Sequence, residues 1–303
     1  MPADRMLSEI PADMDAPLRS PTVTPDGRVH WPQLFYASPN GFRPLTLDVV
    51  TPGRAGPYPT VVWIHGGGWF RGHYAMPNQI VAKMHFADRL LEAGFAVARV
   101  AYRLSGEAQF PTQLHDCKSA VRYLRKHAAT LGLDPARVAS MGESAGGHLA
   151  CLLGLTGGRA ELEGKVGVAG PSSAVQAVVD WYGPTDLSTM DAQGVPEGFQ
   201  PHDAPDSPEA RLVGAPVQQD KARTRAASPL TYITASAPPL LIQHGTADRI
   251  VSIGQGRALH EALRKAGAKV EMMEITGADH CFWGVDTAPI MPKVVAFLKS
   301  ALR

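Results

Sequence analysis

Residues 142–146 read Gly-Glu-Ser-Ala-Gly. This G-x-S-x-G pattern follows a short apolar run, Arg137–Gly142, and opens the small-residue and leucine-rich run ending at Leu155, so it falls where a strand turns into a helix. A turn that sharp brings stretches of backbone so close that only residues without a Cβ fit. It also holds the serine in strained geometry, with its hydroxyl raised above the strand ends. The N-terminus of the helix behind it favours developing negative charge. Ser144 is the candidate nucleophile.

A second glycine-rich stretch, His65-Gly66-Gly67-Gly68-Trp69, ends an earlier apolar run. Consecutive glycines at a strand end leave N–H groups free and let a substrate approach the main chain. The N–H groups of Gly67 and Gly68, with that of Ala145 after the serine, are the candidate oxyanion hole. A phosphate cradle would want G-x-x-x-x-G-K-[ST], and no Lys-Ser/Thr pair follows. His65 is read as a hydrogen-bonding group that holds this loop. Trp69 either lines a pocket or packs beneath it.

Serine at its ordinary pKa is a poor nucleophile and needs a base, itself oriented by an acid. Of eleven histidines, His280 stands in Gly-Ala-Asp-His-Cys-Phe, after the run Lys269–Ile275 and before the final helical pattern, at the level of the other strand ends. His244 and His65 precede glycine turns and suit structural hydrogen bonding, while His115, His127, His148 and His260 fall within helical patterns. Asp248 ends the stretch His-Gly-Thr-Ala-Asp after an apolar run and lies between serine and histidine in chain order. Its rivals are Asp180, Asp186 and Asp279. The last adjoins the histidine and suits a turn instead. Ser144, His280 and Asp248 together would transfer an acyl group through a covalent intermediate. No metal-ligand spacing accompanies them, and the chemistry needs no metal or organic cofactor.

The elements that must position these residues follow from periodicity. Residues 29–36 and 43–52 read as early strands, and residues 59–66 as a strand buried on both faces. Further strands are expected over 95–104, 137–142, 174–183, 238–245 and 269–275. Helical spacing covers about 77–93, 112–130, 143–155, 255–267 and 288–302. Strands alternating with helices imply an α/β chain whose mostly parallel central sheet carries helices on both faces. In such sheets sites collect at the carboxyl ends of the strands, where every motif above lies. Residues 187–228 break the rhythm and read as a lid-like insertion with one short helix near Pro208–Val213.

At 303 residues, with 45% hydrophobic residues and a net charge of +1, the chain reads as a single globular domain. It has no electrostatic footprint for nucleic acid and no apolar stretch near the roughly 18–20 residues of a membrane span. Its three cysteines, Cys117, Cys151 and Cys281, are better read as buried free thiols than as a disulfide. The opening residues hold no leader-like apolar run, which leans towards a reducing, cytoplasmic setting. Oligomeric state is not encoded legibly.

These motifs resemble the HGGG-bearing esterase/lipase branch of the α/β-hydrolases, near the hormone-sensitive-lipase-like and feruloyl/acetyl-xylan-esterase-like groups. The resemblance runs from about residue 43 to the C-terminus and rests on His65–Trp69, Ala101–Ser105, Gly142–Leu149, Ala227–Leu230 with Pro238-Pro239, His244–Asp248 and Asp279-His280. It implies an α/β-hydrolase fold, the triad and oxyanion hole named above, and a small or medium carboxylic ester as substrate. It also implies that Arg103 anchors its loop, although Ala101 stands where many relatives carry an acidic residue. Residues 1–42 have no counterpart in it, beyond a role in helping to cover the pocket. Among the aromatics, Trp69, Tyr74, Trp181 and Phe282 are the candidate substrate contacts, with a dry core as the competing reading. Two alternatives stand beside ester hydrolysis: an amide or formamide hydrolase resembling arylformamidases, and a non-catalytic ligand receptor on the same scaffold.

Overall fold

The computed structural model describes residues 18–194 and 201–303. Nine strands form one sheet: β1 (Thr22–Val23), β2 (Val29–Ala37), β3 (Leu45–Thr51), β4 (Tyr58–Ile64), β5 (Ala96–Val100), β6 (Leu133–Glu143), β7 (Ala177–Trp181), β8 (Leu240–Gly245) and β9 (Val270–Ile275). Their order is β1-β2-β3-β5-β4-β6-β7-β8-β9. The first three strands and β5 pair antiparallel, and from β5 onward every pairing is parallel. The parallel part is what βαβ connections produce when helices cover both faces.

Alternate residues of the central strands feed two separate cores. Val62 and Ile64 of β4 and Leu240 and Ile242 of β8 face one core, whereas Val61, Trp63 and Leu241 face the other. The first core is closed by helices α3 (Thr112–Lys126), α5 (Ala145–Leu155) and α8 (Ile253–Lys265). The second is closed by α2 (Phe86–Glu92) and α9 (Ile290–Ala301). The nucleophile helix α5 is buried along its whole length, which its run of small and leucine residues allows.

Two expectations are corrected. The single helix expected over 77–93 is two: α1 (Gln79–Lys83), capped by the Asn78 side chain, and α2, separated by His85 in a left-handed conformation (φ 48). Apolar spacing runs through this break because both pieces face the same core. The helix expected over 112–130 likewise ends at Lys126, with a short α4 (Ala128–Leu131) after it. Residues 18–42 include β1 and β2, which extend the antiparallel edge of the sheet, and residues 1–17 lie outside the described residues.

Of residues 187–228, those from 195 to 200 lie outside the description. The rest is more ordered than its composition suggests. It holds two 3-10 turns (Leu187–Thr189 and Asp191–Gln193), the expected helix α6 (Pro208–Val213) and an unexpected α7 (Lys221–Ala227) started by the Asp220 side chain. Its two ends are stapled together: Leu187 N–H donates to Ser228 Oγ at 3.1 Å, and Leu230 N–H to Thr185 O at 3.0 Å.

Leu149, fully buried on α5, joins the nucleophile helix to the first core. Leu149→Ala should lower unfolding free energy by about 2–5 kcal/mol, read by denaturant titration. A loss under about 1 kcal/mol would show that α5 is held by its turn and not by packing.

Candidate active site

Ser144 closes β6 and caps α5 with φ 54 and ψ −121, values costly for a residue with a Cβ. Its neighbours impose them. A Cβ on Gly142 would lie 2.2 Å from Gly146 O, and one on Gly146 would lie 2.0 Å from Ile64 O. A side chain at either position would lift α5 off the end of β4. The Ser144 N–H is meanwhile tied to Trp181 O at 2.8 Å.

His280 opens a 3-10 turn (His280–Phe282) beyond β9, and Asp248 lies in the loop beyond β8. His280 Nδ1 lies 2.8 Å from Asp248 Oδ2, and His280 Nε2 lies 3.0 Å from Ser144 Oγ. An ionised carboxylate can only accept, so Nδ1 carries the proton and Nε2 is left to accept from the serine hydroxyl. The other carboxylate oxygen accepts the N–H groups of Ile250 and Val251 at 2.9 and 2.8 Å. His244 donates to Val251 O at 2.8 Å and sits 3.5 Å from Asp248, so it shapes the acid's loop.

Burial works against the charge on Asp248, yet His280 and the hydrogen bonds from His244 and His280 hold its carboxyl well below the usual carboxylate range. Burial likewise pulls the His280 pKa down, and the adjoining Asp248 outweighs it, so that the net shift is upward. The rival acids are occupied elsewhere. Asp180 accepts from Gly183 N–H, Asp186 caps a 3-10 turn, and Asp279 pairs with Arg249.

Gly67, Gly68 and Ala145 line the same cleft of ≈ 660 Å³ as Ser144 and His280. Gly67 has φ 108, and a Cβ there would lie 2.3 Å from Arg71 O, so the loop passes only with glycine. His65 stacks on Tyr102 at 4.5 Å with its Nδ1 2.7 Å from Gly66 O, and burial lowers its pKa to about 4. It holds the loop as a neutral ring. Arg103 anchors its own loop through Asp116, with Nη2 to Oδ1 at 2.6 Å, so helix α3 supplies the acid that position 101 lacks.

One member of the site was not singled out from sequence. Glu143, the variable position of G-x-S-x-G, accepts the Gly66 N–H at 3.0 Å and so ties the glycine loop to the nucleophile turn. Burial raises its pKa to about 7, against the pull of His280 and of the Gly66 hydrogen bond. The signal lay in the motif itself: an acidic residue inside a turn this tight, between a strand and a buried helix, has little water to face.

The aromatic contacts divide. Trp69 lines the cleft while nearly buried, its Nε1 donating to His148 Nδ1 at 3.1 Å; His148 Nε2 in turn lies 2.7 Å from Ala227 O. Tyr74, Trp181 and Phe282 do not line the cleft and are corrected to core residues. Tyr74 bonds to Asp48, Trp181 to Gln243, and Phe282 packs edge-on against Trp181 and Tyr182. Phe70, Met76 and Ile250, each at least partly exposed, form the apolar rim instead, and the insertion packs against it: His202 Nε2 lies 2.9 Å from Ile250 O, and the Arg211 guanidinium lies 5.5 Å from the Phe70 ring centroid. The three thiols are free; Cys117 and Cys151 are buried, but Cys281 is only half-buried and lines the cleft. Among the described residues no helix is long and apolar enough to cross a membrane.

A mostly parallel sheet bearing a strained serine between strand and helix, with histidine and aspartate on the loops beyond the last two strands, defines an α/β-hydrolase. The BD-FAE family profile matches residues 47–263, and the chain belongs to that family. Esterase LipC of Mycobacterium tuberculosis is 30% identical over 82% of this chain and 59% of its own length. The chain thus spans little more than half of such curated relatives. A truncated carbohydrate esterase from gut microbiota superposes with a TM-score of 0.80 at 30% identity, over 92% of this chain and 98% of that one. Thermogutta terrifontis esterase 2, phosphonylated by sarin, superposes with a TM-score of 0.67 at 29% identity, over 89% and 91%.

Because Asp248 and Glu143 both favour the protonated ring, the His280 imidazole should titrate above the ordinary histidine value of about 6.5. Glu143→Gln keeps an acceptor for Gly66 but removes the charge, and should lower that midpoint in an NMR titration. An unchanged midpoint would show that Glu143 carries no charge beside the ring.

Proposed function

We propose that the protein is a serine carboxylesterase that hydrolyses small to medium carboxylic esters through an acyl-enzyme on Ser144. The observation that carries this reading is the continuous line from Asp248 through His280 to Ser144 Oγ, with links of 2.8 and 3.0 Å. His280 removes the hydroxyl proton as Ser144 attacks the acyl carbon, and Asp248 stabilises the imidazolium that forms. The oxyanion is met by the N–H groups of Gly67, Gly68 and Ala145. When the intermediate collapses, the alcohol leaves with the proton from His280, and water repeats the sequence on the acyl-enzyme. Relatives described as esterases, one of them captured phosphonylated, support this chemistry. The insertion over residues 187–228 serves as a partial lid, since its described part contributes one wall of the cleft.

Ser144→Ala should abolish hydrolysis of p-nitrophenyl acetate and labelling by a fluorophosphonate. Asp248→Asn should lower kcat by about 10⁴, the effect of the corresponding change in serine proteases. Full activity in either variant would remove that residue from the mechanism. The acidic limb of kcat/KM should lie above about pH 6.5, because the base works only when neutral and its pKa is raised.

A further inference from the structure

Beside the main cleft runs a second groove of ≈ 460 Å³ that shares Asn78, Ile250, His280 and Cys281 with it. Its far wall is Trp283, 58% exposed, although the residue before it, Phe282, is 1% exposed. The chain is built to produce this alternation. Cys281 and Phe282 both have positive φ (61 and 59), a costly conformation for residues with side chains. Two backbone bonds close the turn: Asp279 N–H to Trp283 O at 2.9 Å and Trp283 N–H to His280 O at 3.3 Å. Phe282 is wedged edge-on against Trp181 and Tyr182, which anchors the turn and leaves the indole outside. Asp279 accepts both the His280 N–H at 2.8 Å and the Arg249 side chain at 2.8 Å, so a polar pair flanks the same groove. A large aromatic displayed on a strained, clamped turn directly after the base is a poor arrangement for stability alone.

Resting on the esterase reading, we infer that this groove is the alcohol subsite and that Trp283 is a platform for a ring-shaped alcohol portion of the ester. The chemistry fixes the side. The carbonyl oxygen is turned to the N–H groups of Gly67, Gly68 and Ala145. On collapse the carbonyl bond re-forms, the bond from carbon to the alcohol oxygen breaks with its electron pair, and that oxygen takes the proton from His280 Nε2. The alcohol therefore lies on the His280 side, where this groove begins. A ring stacks on an indole face, and the Arg249–Asp279 pair offers donors and acceptors to hydroxyl groups at the ring's edge. A sugar and a benzylic ring share this chemistry.

The test compares kcat/KM for benzyl acetate and for methyl 6-O-acetylglucopyranoside with that for ethyl acetate. In Trp283→Ala the ratio of ring ester to ethyl ester should fall by roughly 3- to 10-fold, mainly through KM, and Trp283→Phe should restore part of it. Which of the two ring esters loses more identifies the source. The preference between ethyl acetate and ethyl hexanoate, an acyl-side property, should keep its order in the variant. Equal ratios in both proteins, or a change confined to the acyl series, would overturn the subsite. Benzyl alcohol and methyl glucopyranoside are also titrated by NMR into Ser144→Ala, with and without Trp283→Ala; binding that weakens with the indole removed supports the subsite, and binding that is unaltered refutes it. Absence of turnover of every ester by the unaltered protein would sink the esterase reading while the titration still decides the groove.

Discussion

At residues 142–146 two pieces of backbone approach so closely that no side chain fits between them: Gly146 lies against Ile64 O, and Gly142 against Gly146 O. This contact fixes where α5 starts relative to β4, and with it the position of Ser144. It also brings the Ala145 N–H and the glycine loop after β4 to one edge of the sheet, because that loop leaves the very strand on which Gly146 rests. The left-handed serine is a consequence of the contact, and the wholly buried helix behind it supplies the packing that sustains the strain. Histidine and aspartate then need only arrive on loops at the same sheet edge.

Electrostatics are arranged around that edge with little freedom. Asp248 is buried, yet two N–H groups and two histidines surround its oxygens, so the charge it lends to His280 is permanent. Glu143 stands nearby with far fewer donors, and burial raises its pKa to about 7, so near neutral pH it is only partly ionised. Two carboxyls near one imidazole thus differ in how fully they ionise, because of hydrogen-bond supply. His65, its pKa lowered by burial to about 4, adds no competing cation to the glycine loop proposed to receive the oxyanion.

How much of this could be read from residues alone depended on range. Sheet and helices were legible because apolar periodicity is a local signal, and the motif residues were legible because glycines at strand ends have few other purposes. Side-chain direction was not. Trp181 pairs with Glu143 across β6 and β7, and Phe282 lies two positions after His280, yet both point to the second core, whereas Phe70, Met76 and Ile250, which carry no motif, rim the cleft. The break at His85 was hidden because both helical pieces share an apolar face. Helix α7 was hidden because its sequence, KARTRAA, is polar and its packing is supplied by the insertion itself.

The stapling of Leu187 to Ser228 has a consequence for how freely the length of the insertion can vary. A segment whose two ends meet is already a closed ring in the thermodynamic sense, and ring closure depends only logarithmically on contour length. Doubling the number of residues between the staples would cost about 0.6 kcal/mol. Exposed turns of the insertion can therefore be lengthened at little cost to the sheet, whereas Leu212, Val213 and Val217, buried in the first core, seat the insertion on it. The length of the insertion is in this sense free to vary, while the buried residues that seat it are not.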